Sequence, residues 1–379
     1  MASTDPLLTQ RQIMFSLAFL AYAGETLPPL PNPDAQIAAL IDAALQNTTE
    51  YPAIANQWTR VWGPVTWTVP GASGQDNGMF VAKATSPPAG MAQYAVAVRG
   101  TNGQVYLDWL IEDFDVLPMV EYSGADLTGA NISESTNIGI TILQQMVDPA
   151  STQTMFEFLA ADIAALPSGT SATVNFVGHS LGAALSSTLG LLARDTQTVW
   201  DPKGVATVTA TNFAGPTAGN DQFASYLEGG FTIVGDTPSW WTSPDVSPPS
   251  FADFVRQPLD VAPQAWNQTT LNNVPNIYNG IGVDLGFEDG LVVSTAISLV
   301  NQYIGPNNYT QPYPSAPKLG SMADPAIPPG TVDFTTLAQE IEWQHTSAYA
   351  ELLGCSSLLG SETAPPVVQK LRTRSLSPR

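Results

Sequence analysis

Ser180 is the residue in this chain best placed to do chemistry. It stands in Gly178-His179-Ser180-Leu181-Gly182, after the β-branched and aromatic run Thr173–Val177 and before an Ala- and Leu-rich run from Ala183 to Arg194. The first run reads as a buried strand and the second as a helix, so the serine falls on a strand–turn–helix. Such a turn is tight enough to call for glycine on both sides. It holds the hydroxyl clear of the sheet and sets the positive end of a helix behind it. The alternative is an ordinary βα turn with a surface serine, and the rest of the chain has to decide between them.

A serine hydroxyl becomes a nucleophile when a base takes its proton and an acid orients the base. The chain offers two imidazoles, His179 and His345. His179 is locked beside Ser180 with its side chain directed away, which predicts a packing role beneath the turn. His345, in Gln344-His345-Thr346-Ser347, is left as the base, and it stands where the order Ser, Asp, His of α/β-hydrolases places it. The acid must lie between them. Asp260 follows the predicted strand Phe251–Leu259 and precedes Val261-Ala262-Pro263, at the strand end where open α/β sheets keep their sites. Asp253, inside that strand, and Asp284 and Asp289, in a segment without turn signals, are weaker candidates. Two donors should hold an oxyanion: the Leu181 N–H, next after the nucleophile, and the Thr101 N–H in the strand-ending Arg99-Gly100-Thr101.

The elements that must position these residues alternate. Helices are predicted over 7–23 and 34–46, parted by a proline run, then an aromatic irregular stretch Trp58–Val69. Strands Met79–Ala84 and Tyr94–Val98 follow, then a helix Ser151–Leu166, the elbow, a strand Val205–Phe213 and a short helix Asn220–Leu227. Residues 228–250 read as a surface excursion, 280–304 as partly helical, 305–332 as loop and Phe334–Leu353 as the last helix. Strands alternating with helices predict one α/β domain over 1–355 with a mainly parallel sheet, and a disordered tail over 356–379.

Composition narrows the function. With 12 Lys and Arg against 33 Asp and Glu, and a net charge of −21, nucleic-acid binding is disfavoured. One cysteine allows no intrachain disulfide, and two histidines with one cysteine do not suit a zinc site; no metal or cofactor is expected. No stretch is long enough to span a membrane. Ile13–Ala23 imitates a signal peptide, but Asp5 and the single Arg11 before it fit a domain helix better. A soluble protein is expected, cytoplasmic or secreted.

The motifs Val98-Arg99-Gly100-Thr101, Asp108-Trp109, Gly178–Gly182, Phe213-Ala214-Gly215-Pro216, Gly219-Asn220, Asp260–Pro263 and Gln344-His345 run in one order across about 95–350. In this the chain resembles the class 3, fungal-type, triacylglycerol lipases of the α/β-hydrolase superfamily. The lack of disulfides and the segment Thr136–Ile140 before the elbow strand suggest a bacterial branch. The resemblance implies ester hydrolysis through an acyl-enzyme, with Ser180, Asp260 and His345 as triad and Thr101 with Leu181 as oxyanion hole. It implies an ester or lipid substrate met at a transient lipid–water interface. It also implies a helical lid over 102–117. There Leu107, Leu110, Ile111 and Phe114 share one helical face, and Trp109 is carried with them. Rival readings are an esterase for short or aryl esters without interfacial preference, and a non-catalytic lipid-binding relative.

Overall fold

Side-chain alternation along two neighbouring strands builds the two halves of the core. In β3 (Met91–Val98), Tyr94, Val96 and Val98 enter one apolar cluster, while Ala95 and Ala97 enter another on the opposite face. In β6 (Ser171–His179), Val174 and Phe176 join the first and Val177 the second. The computed structural model describes residues 5–25, 33–67, 77–100, 118–124, 128–230, 232–233, 251–312 and 318–361.

β4 (Met119–Glu121) and β5 (Asn131–Ser133) form a separate pair, and the main sheet also contains β1 (Trp58–Trp67), β2 (Asn77–Ala84), β7 (Ala206–Phe213), β8 (Thr232–Ile233) and β9 (Phe251–Val255), in the order β1-β2-β3-β6-β7-β9-β8. β1 and β2 pair antiparallel, as do β2 and β3; every pair from β3 onward is parallel. The mainly parallel α/β sheet expected from the sequence is therefore present, with an antiparallel edge. The stretch read as irregular is instead β1, whose pairing with β2 shifts register on either side of Trp62. Those bulges break the period-2 pattern and hid the strand.

Helix α1 (Pro6–Leu20) covers one face of the sheet. Asp5 caps it, accepting from the Leu7 and Leu8 amides, and Pro6 occupies its first turn. Ala95 and Ala97 are small enough to let Phe15 and Phe19 pack into the same cluster as Phe213 and Tyr349. The helix Leu181–Asp195 covers the opposite face, with Leu185 and Leu189 in the cluster that holds Phe176.

A third apolar cluster joins Leu259, Val261 and Trp266 to Ile297, Val300 and Ile304 of the helix Phe287–Ile304 and to Leu337 and Ile341 of the helix Phe334–His345. Three boundaries differ from expectation, besides the last helix described below. β9 ends at Val255, so Asp260 lies in a loop. The excursion at 228–250 begins with the end of a helix, Asp221–Gly230, and with β8, which pairs with β9; residues 234–250 lie outside the described residues. The tail is ordered at its start, because Leu358 is buried with Tyr51 and Leu353, and Ser357 Oγ donates to the Glu50 carbonyl at 2.9 Å.

Candidate active site

β6 delivers Ser180 at its end, and the turn around it explains both glycines. A Cβ on Gly178 would run into the backbone of Gly182, and one on Gly182 would lie 2.5 Å from the Val98 carbonyl oxygen. Strand, turn and helix thus approach one another at van der Waals distance, which only glycine allows. Ser180 itself adopts φ 61° and ψ −134°, a sparsely populated conformation that costs about 1–3 kcal/mol and is kept where the surroundings over-determine it. The Ser180 amide is held by the Phe213 carbonyl at 3.0 Å. Leu181 opens the following helix, where its amide has no intrahelical acceptor and the helix dipole is positive.

The loop leaving β3 runs against this turn. A Cβ on Gly100 would strike the Tyr22 hydroxyl and lie 2.6 Å from the His179 carbonyl oxygen and 3.2 Å from Ser180 Cβ. Thr101 and the predicted lid residues Leu107, Trp109, Leu110, Ile111 and Phe114 lie outside the described residues.

Asp260 and His345 meet as a buried pair. The carboxylate, 0% exposed, takes the His345 Nδ1–H at 3.0 Å on Oδ1 and 3.1 Å on Oδ2. It also accepts the Tyr349 hydroxyl at 2.9 Å and the Ala262 amide at 3.0 Å. Because a carboxylate only accepts, the neutral His345 ring carries its proton on Nδ1 and its lone pair on Nε2. The turn at Val261-Ala262-Pro263 fixes the direction of Asp260 through that amide. The other acidic candidates are elsewhere: Asp253 pairs with Arg11 at 2.7 and 2.8 Å, Asp284 lies in the strand β10 (Val283–Leu285), and Asp289 in the first turn of the helix Phe287–Ile304.

His345 ends its helix, and Thr346, at φ −126° and ψ −69°, breaks the run that was expected to continue to Leu353. The break lets Tyr349, four residues on, turn its hydroxyl to Asp260. Two glutamines fasten this helix to the Asp260 loop. Gln257 Nε2 donates to the Gln344 carbonyl and to Gln344 Oε1, at 2.9 and 2.8 Å, while Gln257 Oε1 accepts the Leu259 amide at 2.9 Å.

His179 does more than pack. Its Nε2 lies 2.7 Å from the His345 carbonyl oxygen, and a carbonyl only accepts, so Nε2 carries the proton and Nδ1 the lone pair. The Tyr22 hydroxyl, 3.1 Å from Nδ1, donates to it. The two imidazole rings are 4.6 Å apart. Burial, with the neighbouring His345 second, holds the His179 pKa well below its ordinary value, although the bond to the His345 carbonyl acts the other way. Burial raises the Tyr22 pKa, so its phenol stays a donor. His179 therefore links the elbow to the backbone of His345 as a neutral donor. Sequence reading missed this role and those of Tyr22, Tyr349 and Gln257; of these, only Tyr349, spaced i, i+4 from His345, left a local signal.

A serine on a strand–turn–helix elbow, beside a buried Asp–His pair and on this sheet order, defines an α/β-hydrolase. Within that class, residues 95–237 match the model of the class 3 lipase family. Among solved structures it is similar to M37 lipase, at 25% identity over 96% of this chain and 99% of that one, with a TM-score of 0.74. A looser likeness is to a lipase from Rhizopus microsporus var. chinensis, at 16% identity over 69% of this chain and 70% of that one, with a TM-score of 0.44. No curated protein sequence matches the chain.

Proposed function

We propose that the chain is a serine carboxylic-ester hydrolase of lipase type that cleaves acylglycerols or related esters. The Ser180 oxygen attacks the ester carbonyl while His345 Nε2 takes its proton, and the Leu181 and Thr101 amides receive the oxyanion. The tetrahedral species collapses, and the alkoxide leaves with that proton from His345. Water, deprotonated by the same nitrogen, then releases the acid and restores Ser180. Asp260 holds the imidazole in the Nδ1–H tautomer and stabilises the imidazolium. Residues 102–117, with Leu107, Trp109, Leu110, Ile111 and Phe114, serve as the lid.

The observation that supports this reading most is the Asp260–His345 bond, at 3.0 and 3.1 Å, beside the strained Ser180 turn. The test is hydrolysis of p-nitrophenyl esters from short to long acyl chains, with labelling by an active-site fluorophosphonate. Wild type should turn over and label once, and Ser180→Ala should do neither while keeping its Tm. A folded wild type that neither hydrolyses nor labels would leave the lipid-binding alternative. Turnover limited to short esters, with no rise at the solubility limit of longer ones, would mark an esterase.

A further inference from the structure

Among the described residues, seven large apolar side chains are exposed, and four of them lie on one helix, Phe287–Ile304. Phe287 is 88% exposed, Leu291 60%, Val292 61% and Leu299 51%. The other three, Ile138, Val147 and Val199, are scattered singly, as is normal for a folded surface. The helix is apolar on its inner side as well. Ile297, Val300 and Ile304 are buried against Leu337 and Ile341 of the helix that ends in His345. A helix apolar on both sides is ordinarily enclosed, and this one is not.

At 100° per residue, Phe287, Leu291, Val292 and Leu299 fall within an arc of about 140°. Between them lie Thr295, Ser298 and Gln302, all uncharged, and Glu288 at the N-terminal end. After Asp289 no charged residue occurs up to Ile304. Three occupants suit such a face: a second copy, a protein partner or a lipid surface. The helix is about 27 Å long and its outer face about 10 Å wide, giving about 300 Å². A stable dimer needs about 800 Å² from each partner, so the face is too small for a second copy. The recess beside it, lined by Val292, Val293, Ile297 and Leu337, is apolar and carries no charged side chain to select a protein. A narrow convex ridge with polar residues between bulky apolar ones needs no complementary shape when it enters a fluid lipid layer. The net charge of −21, with Glu288 on the face, repels an anionic surface.

We propose that the helix Phe287–Ile304 is a docking ridge for an electroneutral lipid–water interface. Phe287, Leu291, Val292 and Leu299 enter the lipid. The packing of Ile297 and Val300 on the His345 helix couples the ridge to the body that carries the Asp260–His345 pair. The proposal rests on the lipase reading, which supplies the reason for a lipid surface.

The test is flotation with triolein droplets coated in phosphatidylcholine, in the Ser180→Ala background so that the lipid is not consumed. Its partner is Phe287→Ser/Leu291→Ser/Leu299→Ser in the same background. All three side chains are exposed, so the Tm should hold. The triple variant should partition onto droplets at least about tenfold more weakly, from the apolar area withheld from lipid. In the otherwise wild-type chain, the same substitutions should leave hydrolysis of monomeric p-nitrophenyl butyrate unchanged. Unchanged partition overturns the proposal. So does stronger binding to droplets coated in anionic phosphatidylglycerol, or a wild-type dimer in sedimentation that the variant abolishes. Wild type that hydrolyses no ester at all would instead fail the lipase reading.

Discussion

Asp260 and Asp253 hold different partners, and substitution should separate them. Asp260→Asn keeps the shape of the pair but stabilises the wrong imidazole tautomer, so kcat should fall roughly 10⁴-fold with little change in Tm. Asp253→Asn leaves the half-buried Arg11 without its carboxylate, so denaturation should read a loss of about 2 kcal/mol with kcat preserved. A mild effect of Asp260→Asn on turnover would remove Asp260 from the role proposed for it. His179 makes a prediction about pH. Its folded pKa is depressed below the ordinary 6.5, so the unfolded chain binds the extra proton. Its contribution is present above about pH 6.5 and is lost as pH falls, by up to about 1.4 kcal/mol per unit. Urea denaturation between pH 7 and 5 should therefore show a shallower decline for His179→Asn than for wild type. The comparison is made with the variant because Glu340, whose pKa is raised by burial, acts with the opposite sign. Parallel slopes would mean that His179 does not govern this window.

Among the elements, the elbow is the tightest junction. A methyl group on Gly178 meets the Gly182 backbone, which cannot yield without opening the turn, so Gly178→Ala should cost about 3 kcal/mol and most of the activity. Gly229, in a helix and with nothing within 4 Å of an added Cβ, is the control: Gly229→Ala should be neutral or stabilising by about 0.5–1 kcal/mol in the same melt. The elbow was legible in the sequence because glycine at fixed offsets and the change from period 2 to period 3.6 are local signals. Asp260 and His345 were legible through residue scarcity and order. The end of β9 at Val255 and the helix break at Thr346 were not, because long-range contacts set both. Gln257 leaves the strand to fasten Gln344, and the break serves the bond from Tyr349 to Asp260. β1 was hidden by its bulges, and the link from Tyr22 to His179 spans 157 residues of chain.

The whole molecule is a strongly acidic body with few cations to spare. Arg11, Arg60, Lys83 and Arg194 are engaged with carboxylates among the described residues. The remaining acids repel one another, and this repulsion is screened by salt more than those few close pairs are weakened by it. Tm should therefore rise between about 0.05 and 0.5 M NaCl, over which the Debye length falls from roughly 14 to 4 Å; a falling Tm would show the ion pairs to dominate. Helix α1 and the helix Ser347–Leu352 also meet, on the same face of the sheet. Gln12 Nε2 donates to the Leu353 carbonyl at 2.8 Å, and the Phe15 and Tyr349 rings lie 6.4 Å apart. Between them His179 joins Tyr22 to His345. During synthesis, therefore, the serine elbow emerges from the ribosome long before His345, and helix α1 waits for a partner made after every strand of the main sheet. A chain halted before His345 would hold Ser180 without the imidazole proposed as its base and, on the proposed reading, would be inert toward esters.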